Sequence, residues 1–180
     1  MLGDSLSSAH RIATDSGWVH LLEQRLQTAP TPRKVVNASI SGETTSGGLS
    51  RLPKLLADHK PAFVFVELGA NDGLRGLPLA EIRANLRSIL KANQDSGARS
   101  VLLGIELPIN YGPQYRDGLR TLYRDLAQEF NAPLVPFLLD GVALNPDLMQ
   151  DDGLHPKAEG EPRVLENVWK VVAPVLAAPR

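Results

Sequence analysis

The sequence predicts a three-layer α/β fold in which helices cover both faces of a parallel sheet. Its apolar runs of strand length are nearly continuous, which is typical of strands buried on both faces. Between these runs, apolar residues recur at spacings of three and four, which indicates helices with one buried face. Because strand and helix alternate, we expect right-handed crossovers and a ligand cleft beyond the carboxyl ends of the strands.

Each element follows from its own pattern. Continuous apolar runs predict strands over residues 35–40, 62–68, 101–107 and 134–139. Helical spacing of apolar residues predicts helices within residues 18–26, 49–56, 79–90, 119–130 and 164–176. The proline- and glycine-containing segments between them are interpreted as loops of a single domain and not as domain linkers.

The start of the chain departs from this pattern, because such a fold needs a strand before its first helix. Only Met1 and Leu2 precede Gly3. Two residues are too few for the internal strand expected there, and its loss would expose the neighbouring ladders. We therefore expect the first strand to be truncated and Met1 to lie inside a longer natural reading frame, which mass spectrometry or the upstream coding sequence would test.

Composition limits the possible classes of function. The 180 residues, 43% of them hydrophobic, suffice for one core, which predicts a single domain over residues 1–180. A net charge of -1 provides no positive field to attract nucleic acid or anionic lipid. The absence of cysteine excludes disulfides, thiolate metal sites and a cysteine nucleophile. No apolar run approaches the ~20 residues of a membrane helix and no signal sequence is evident, so stable membrane insertion is not expected.

His155 is the histidine best placed for acid–base chemistry. Asp152 precedes it by three residues in an Asp-Gly-Leu-His segment, so a turn would fold the carboxylate back onto the imidazole. That contact fixes the tautomer and leaves the second ring nitrogen to accept a proton. Taken alone, the segment is better explained as an exposed turn. His20 and His59 have no comparable neighbour, and a contact of His10 with the rim of the site is the less favoured interpretation.

Three other segments follow strands at the same edge of the predicted sheet. Ser5 lies in residues 3–7, where a first strand should turn into a helix, so it would face the cleft near backbone N–H groups. Gly42 would offer an unobstructed backbone N–H, and Asn71 a side-chain amide, to one developing oxyanion. Helix capping and ordinary turn chemistry explain each segment equally well in isolation.

Taken together, these segments resemble those of the SGNH (GDSL-type) hydrolase family, specifically its bacterial group of multifunctional thioesterases and lysophospholipases. The resemblance runs nearly end to end. It rests on the segments GDSLS at residues 3–7, VNASISG at 36–42, VELGANDGLRG at 66–76, LPINYG at 107–112 and MQDDGLHP at 149–156.

The resemblance implies a flavodoxin-like sandwich that uses neither a metal nor an organic cofactor. It implies Ser5 as the nucleophile, His155 as general base and then acid, and Asp152 as the group that orients His155. The backbone N–H groups of Ser5 and Gly42 and the side chain of Asn71 would form the oxyanion hole. The implied substrates are acyl-CoA thioesters, aryl and alkyl esters, and lysophospholipids. The implied location is periplasmic or secreted if a leader lies upstream, and the sequence carries no signal for an oligomeric state.

Departures from the family pattern bear on the choice of substrate. Ala70 stands where a second glycine is common, and Ser-Ala-His at residues 8–10 replaces the usual small residues and aromatic, which leaves the acyl-chain preference open. Residues 74–78 and 108–112 should form the rim of the cleft, where Leu77 and Ile109 either contact an acyl chain or pack beneath their own loops.

The sequence leaves three alternative functions. One is a carbohydrate-deacetylating esterase on the same scaffold. Another is a non-catalytic flavodoxin-like nucleotide-binding module, which is disfavoured because the glycine patterns that bind phosphates are absent. The third, a metal hydrolase, is disfavoured because the sequence has no His-Glu-x-x-His and because Asp151, Asp152 and His155 form an incomplete ligand set.

Overall fold

A computed structural model describes residues 1–177 of the chain. In this range four parallel strands form one sheet in the order β1-β2-β3-β4. The strands are β1 (Leu2–Gly3), β2 (Phe63–Glu67), β3 (Arg99–Leu103) and β4 (Leu134–Val135). The α-helices are α1 (Trp18–Gln27), α2 (Thr45–His59), α3 (Ala70–Leu74), α4 (Leu79–Asp95), α5 (Pro113–Glu129) and α6 (Glu161–Ala177). Short 3₁₀ turns lie at Thr14–Ser16, Ile109–Tyr111 and Ala158–Gly160.

Helices cover both faces of the sheet, which confirms the predicted fold class. On one face Leu122 of α5 shares an apolar cluster with Val66 of β2, together with residues of α2 and α4. On the other face Trp18 of α1 and Val168 of α6 share a second cluster with Phe65 of β2. Successive side chains of a strand point to opposite faces, so both faces of β2 must be apolar. This explains why the strands appear in the sequence as continuous apolar runs.

The predicted strands at 101–107 and 134–139 are present but shorter than predicted. β4 ends at Val135 because the next residue, Pro136, has no N–H to donate to a ladder. β3 begins at Arg99 and ends at Leu103, before Gly104. A Cβ on Gly104 would lie 2.4 Å from the Pro136 carbonyl oxygen, so the close approach of the two chains requires glycine there.

The prediction of a strand over residues 35–40 is wrong. The segment is extended and runs beside β1, with hydrogen bonds of 3.0 Å from Ala38 N–H to the Met1 carbonyl and from Ile40 N–H to the Gly3 carbonyl. It is not a regular strand. The side chain of Asn37 accepts a hydrogen bond from the backbone two residues later, at 3.1 Å, and this local bonding competes with a ladder.

The expectation that two residues could not form the first strand is also wrong. Leu2 pairs with Val66 and Gly3 with Glu67 in parallel register. The extended segment 35–40 supplies hydrogen bonds on the other side, so β1 lies between two neighbours. Leu2 is 1% exposed, and its burial in the core stabilises the short strand. This pairing brings the residues that follow β1 to the carboxyl edge of the sheet.

Within residues 1–177, no helix has both the length and the apolar character that a membrane crossing requires.

Candidate active site

Ser5 lies on a tight turn that follows β1. Hydrogen bonds from Ser7 N–H and Ser8 N–H to the Asp4 carbonyl, at 3.3 and 3.1 Å, close this turn. The sequence predicted that β1 would lead directly into a helix, but residues 5–11 form consecutive turns and the first α-helix begins at Trp18. Ser5 is therefore held by a turn at the sheet edge and not by the first turn of a helix.

The side chains of Ser5, His155 and Asp152 form one hydrogen-bonded row. His155 Nε2 lies 2.8 Å from Ser5 Oγ, and His155 Nδ1 lies 2.8 Å from Asp152 Oδ2. Asp152 Oδ1 also accepts hydrogen bonds from the backbone N–H groups of Leu154 and His155, at 2.9 and 3.1 Å. The structure thus brings together a serine and a histidine that lie 150 residues apart in the sequence.

A hairpin-like closure of the chain folds Asp152 back onto His155. Met149 and Pro156 form an isolated antiparallel bridge, and Gln150 N–H donates to the His155 carbonyl at 2.8 Å. At the tip of this loop Gly153 has a φ of +65°, which glycine adopts without the strain that a side chain would add. The turn that the sequence predicted is therefore present, and it carries the carboxylate to the imidazole.

The contacts of Asp152 keep its carboxyl group ionised. Burial acts to raise its pKa, but the hydrogen bonds from Leu154 N–H and from the ring and N–H of His155 outweigh that effect. The pKa of Asp152 is consequently lowered to about 2. A carboxylate that stays charged fixes which ring nitrogen of His155 bears the proton and stabilises the imidazolium that forms when His155 takes up a second one.

Gly42 and Asn71 lie at the same edge as Ser5. Gly42 has a φ of +81°, and the space where a Cβ would lie is open to 4 Å. Asn71 Nδ2 donates to Asp4 Oδ2 and to the Glu43 carbonyl, both at 3.0 Å. The amide group of Asn71 is therefore oriented by two acceptors in the absence of substrate.

Asp72 holds the Gly42 and Asn71 segments together. It follows Asn71 in α3, a helix that the sequence predicted only as a turn. Its carboxylate accepts hydrogen bonds from the backbone N–H and the hydroxyl of Thr45, at 2.9 and 2.5 Å. Thr45 is the first residue of α2 and comes shortly after Gly42. One buried carboxylate thus fixes the start of α2 against α3.

A small apolar cavity of about 60 Å³ opens beside Ser5 and His155. Its apolar lining includes Leu6, Leu74, Ile105, Leu107, Phe137 and Leu139. Glu106 lies at its edge, where hydrogen bonds of 2.9 and 2.7 Å from Arg120 balance the carboxylate charge. A larger cavity of about 380 Å³ lies near the start of β2, away from Ser5 and His155. The smaller cavity is the one in contact with the serine–histidine pair.

The two predicted rim loops are tied to each other by tyrosines. Tyr111 donates its hydroxyl to the Leu74 carbonyl at 2.9 Å, and Tyr115 donates to the Leu77 carbonyl at 2.5 Å. Leu77 packs against the core, so of the two predicted options it packs beneath its own loop. Ile109 does not pack beneath its loop, because it is 82% exposed.

His10 lies closer to His155 than the sequence indicated. Its ring lies against that of His155, with centroids 4.4 Å apart, and its Nδ1 is 3.4 Å from Ser41 Oγ. The flanking residues Ala9 and Arg11 have φ values of 58° and 56°, a left-handed conformation that is unusual for residues other than glycine. Burial, together with the charges of His155 and Arg11, lowers the pKa of His10 against the opposing effect of Asp152.

Asp4 and Glu67, to which no sequence pattern gave a role, are both fully buried beneath the Ser5 turn. The sequence signal that could have identified Glu67 is a charged residue at the end of an apolar run, since Glu67 is the last residue of β2.

Among residues 1–177, no cluster of three or more His, Asp or Glu side chains is arranged to hold a metal ion.

Comparison with known proteins identifies the class to which this site belongs. The profile of the GDSL-like Lipase/Acylhydrolase family matches residues 1–162. The chain is 48% identical to Esterase TesA of Pseudomonas aeruginosa over 176 residues, which cover 98% of this chain and 88% of that protein. It is 43% identical to Thioesterase 1/protease 1/lysophospholipase L1 of Escherichia coli (strain K12), with 98% of this chain and 83% of that protein covered.

The fold supports the same relationship. A crystal structure of TesA superimposes with a TM-score of 0.93 at 48% identity, covering 96% of each chain. The chain therefore belongs to the GDSL-like Lipase/Acylhydrolase family, and it is a GDSL-type hydrolase with an α/β fold.

Proposed function

We propose that the chain hydrolyses carboxylic esters and acyl thioesters through an acyl-enzyme on Ser5, with His155 and Asp152 completing a catalytic triad. The observation that carries this assignment is the unbroken row from Ser5 Oγ to His155 to Asp152, with both contacts at 2.8 Å. The chain is a GDSL-type serine hydrolase of the esterase and thioesterase class, since its family and its relatives at 43 to 48% identity have those activities in their names.

In the first half of the reaction, Ser5 Oγ attacks the carbonyl carbon while His155 Nε2 removes the hydroxyl proton. Collapse of the tetrahedral intermediate transfers that proton to the leaving alcohol or thiol and leaves an acyl group on Ser5. In the second half, His155 takes a proton from water as the water oxygen attacks the acyl carbonyl carbon. Collapse of this second tetrahedral intermediate breaks the bond to Ser5 Oγ, His155 returns the proton to that oxygen, and the acyl group leaves as a carboxylic acid. Asp152 stays ionised and orients the imidazole throughout.

The groups assigned to donate hydrogen bonds to the oxyanion are the backbone N–H groups of Ser5 and Gly42 and the side-chain amide of Asn71. The open space around Gly42 supports a close approach of substrate to its backbone. Asn71 Nδ2 bonds both Asp4 and the Glu43 carbonyl before substrate arrives. Donation to the oxyanion therefore replaces the bond to Glu43, while the bond to Asp4 keeps the amide in place.

The substrate is a small molecule with an acyl group that enters the apolar cavity. At about 60 Å³, the cavity accepts a short acyl group fully, and longer chains have to extend toward the rim loops. Acyl-CoA thioesters, aryl and alkyl esters, and lysophospholipids fit this requirement. Esterase and thioesterase relatives favour this assignment over a carbohydrate deacetylase and over a nucleotide-binding module.

The proposal includes one domain over residues 1–180. Two apolar clusters lie on opposite faces of a single sheet within residues 1–177, which supports one folding unit.

The test is hydrolysis of p-nitrophenyl esters and CoA thioesters over a series of acyl-chain lengths. Ser5→Ala is expected to lose about 10⁶-fold in kcat. Ser88→Ala, on the exposed surface of α4, is the matched control and should retain wild-type activity. A phosphonate ester should add one phosphonyl group to wild type and none to Ser5→Ala, as measured by mass spectrometry of the intact protein. Retained turnover in Ser5→Ala would contradict the assignment.

A further inference from the structure

Two carboxyl groups lie together beneath the Ser5 turn. The side chains of Asp4 and Glu67 belong to fully buried residues, at 0% exposure each. Glu67 Oε2 accepts hydrogen bonds from Asp4 N–H at 3.1 Å and from Ser7 Oγ at 2.8 Å. The turn that carries the nucleophile is therefore fastened to Glu67 at both of its ends.

Among residues 1–177, neither carboxyl group forms an ion pair with a lysine, arginine or histidine. The titratable groups that face the pair are Tyr123, whose hydroxyl donates to the Leu68 carbonyl, and His155, which acts on Asp4 from the cleft. Two adjacent anions in a dry environment repel each other strongly, so such a pair retains one proton.

The proton belongs mainly to Glu67. Burial and the charge of Asp4 raise the pKa of Glu67 well above its usual value, while burial raises the pKa of Asp4 to about 6 against the opposing hydrogen bonds from Leu6 and Asn71. Both oxygens of Asp4 act as acceptors, since Oδ1 binds Leu6 N–H and Oδ2 binds Asn71 Nδ2, each at 3.0 Å. A carboxylate suits these contacts better than a carboxylic acid.

The strand pairing leaves room for this arrangement. Gly3 lies directly opposite Glu67 in the ladder, and a Cβ on Gly3 would lie 2.9 Å from Glu67 Oε2. A side chain at this position would therefore crowd the Glu67 carboxyl group where it meets the Ser5 turn.

We propose that Glu67 is a positioning residue, held as a carboxylic acid beside an ionised Asp4, so that Asp4 orients the Asn71 amide and the Ser5 turn for catalysis. This inference rests on the proposed function, because it assigns Asn71 and Ser5 their roles. Loss of the shared proton to solvent at alkaline pH would place two carboxylates side by side and displace Asp4 from Asn71.

The first test compares Glu67→Gln with Glu67→Leu. Glutamine keeps an acceptor for Asp4 N–H and Ser7 and supplies a neutral donor to the Asp4 carboxylate, so kcat at neutral pH should stay within about threefold of wild type. Leucine removes both functions, so kcat should fall about 10²-fold with little change in KM. Glu161→Gln neutralises another buried carboxyl group and is the matched control. A loss in Glu67→Gln equal to that in Glu67→Leu would overturn the proposal.

The pH profile supplies a readout that a merely structural role would not change. As pH rises, wild type should lose kcat when the shared proton dissociates, and Glu67→Gln should not show this alkaline decline. Identical alkaline limbs in the two proteins would also overturn the proposal. Thermal unfolding of each variant shows whether it is folded at the pH of the assay.

Infrared spectroscopy detects the proton directly. The experiment uses the Glu161→Gln background at about pH 8, where Asp4 is ionised and the Glu161 carboxyl group is absent. A carbonyl stretch of a protonated carboxyl group should be present in this background and absent after Glu67→Gln is added. If Ser5→Ala is inactive but the band is missing, only the Glu67 assignment fails; if Ser5→Ala remains active, the proposed function itself fails.

Discussion

The imidazole of His10 lies against that of His155, with ring centroids 4.4 Å apart and ring planes inclined by 36°. The Gln150 side chain secures this contact, because its Nε2 donates to both the His10 and the Pro156 carbonyls, at 2.9 and 2.8 Å. One side chain therefore joins the loop of His10 to the loop of His155.

The contact predicts that the aromatic face of His10, and not its charge, supports His155. His10→Phe should retain kcat/KM, whereas His10→Ala should lose about two- to tenfold, the size of an aromatic contact. Steady-state kinetics with a p-nitrophenyl ester measures both. His20→Ala is the control, since His20 contacts Gln24 on the surface of α1, away from Ser5 and His155. Wild-type kinetics in His10→Ala would show that the contact has no catalytic role.

Asn71→Ala should impair turnover in a protein that still folds. Removing one oxyanion donor costs about 10²–10³-fold in kcat, equivalent to about 3–4 kcal/mol of transition-state stabilisation. Because Asn71 also bonds Asp4 and Glu43, calorimetry must show that the variant is folded. A folded variant with near-normal kcat would remove Asn71 from the oxyanion hole.

Asp152→Asn should lower kcat by about 10⁴-fold, as the matching change does in another serine hydrolase, because asparagine favours the wrong tautomer of His155. The exposed neighbour Asp151 offers a matched control, and Asp151→Asn should keep wild-type kcat. Since the pKa of Asp152 is lowered to about 2, its protonation should not contribute to the acid limb of the pH profile above about pH 4. An equal loss in the two variants would argue for a general charge effect.

Glu161→Gln should alter the pH dependence of stability and leave the chemistry unchanged. Glu161 is buried and accepts a hydrogen bond from Trp18 N–H at 2.8 Å. Burial raises its pKa from 4.5 to about 7. The folded protein therefore binds a proton that the unfolded chain has released, so the free energy of unfolding falls as pH rises from about 4.5 to 7, by about 3 kcal/mol.

Glutamine should remove the contribution of Glu161 to this pH dependence, because it keeps an acceptor for Trp18 N–H and has no charge to bury. Denaturant unfolding of wild type and Glu161→Gln at several pH values measures the difference. Glu159→Gln, at an exposed neighbouring position, should follow the wild-type curve. Parallel curves for wild type and Glu161→Gln would contradict the prediction.

The parts of the fold that were predictable from the sequence are those governed by burial. β2 and the five long helices follow apolar patterns that local sequence displays. The segment 35–40 was misassigned because hydropathy does not register the local hydrogen bonds of Asn37. β1 was missed because its stability comes from partners more than thirty residues away, which no local pattern shows.

In the site, too, local sequence patterns predicted some residues, whereas others depend on long-range contacts. Ser5, Asp152, His155, Gly42 and Asn71 stand in segments whose spacing and resemblance pointed to them, and the structure brings them to one edge of the sheet. His10 and Glu67 could not be assigned in this way. Their environments arise from long-range contacts, with a second imidazole in one case and a second carboxyl group in the other.

The pairing of Gly3 with Glu67 limits how this chain can vary in length. Inserting or deleting one residue between Leu2 and Ser5 would shift the register of β1 or displace the turn that holds the Ser5 hydroxyl in the cleft. Additions to the exposed connection after α1 would leave the hydroxyl in place, because they alter neither that register nor that turn. Insertional variation compatible with activity should accordingly concentrate in such connections and spare the two residues of β1.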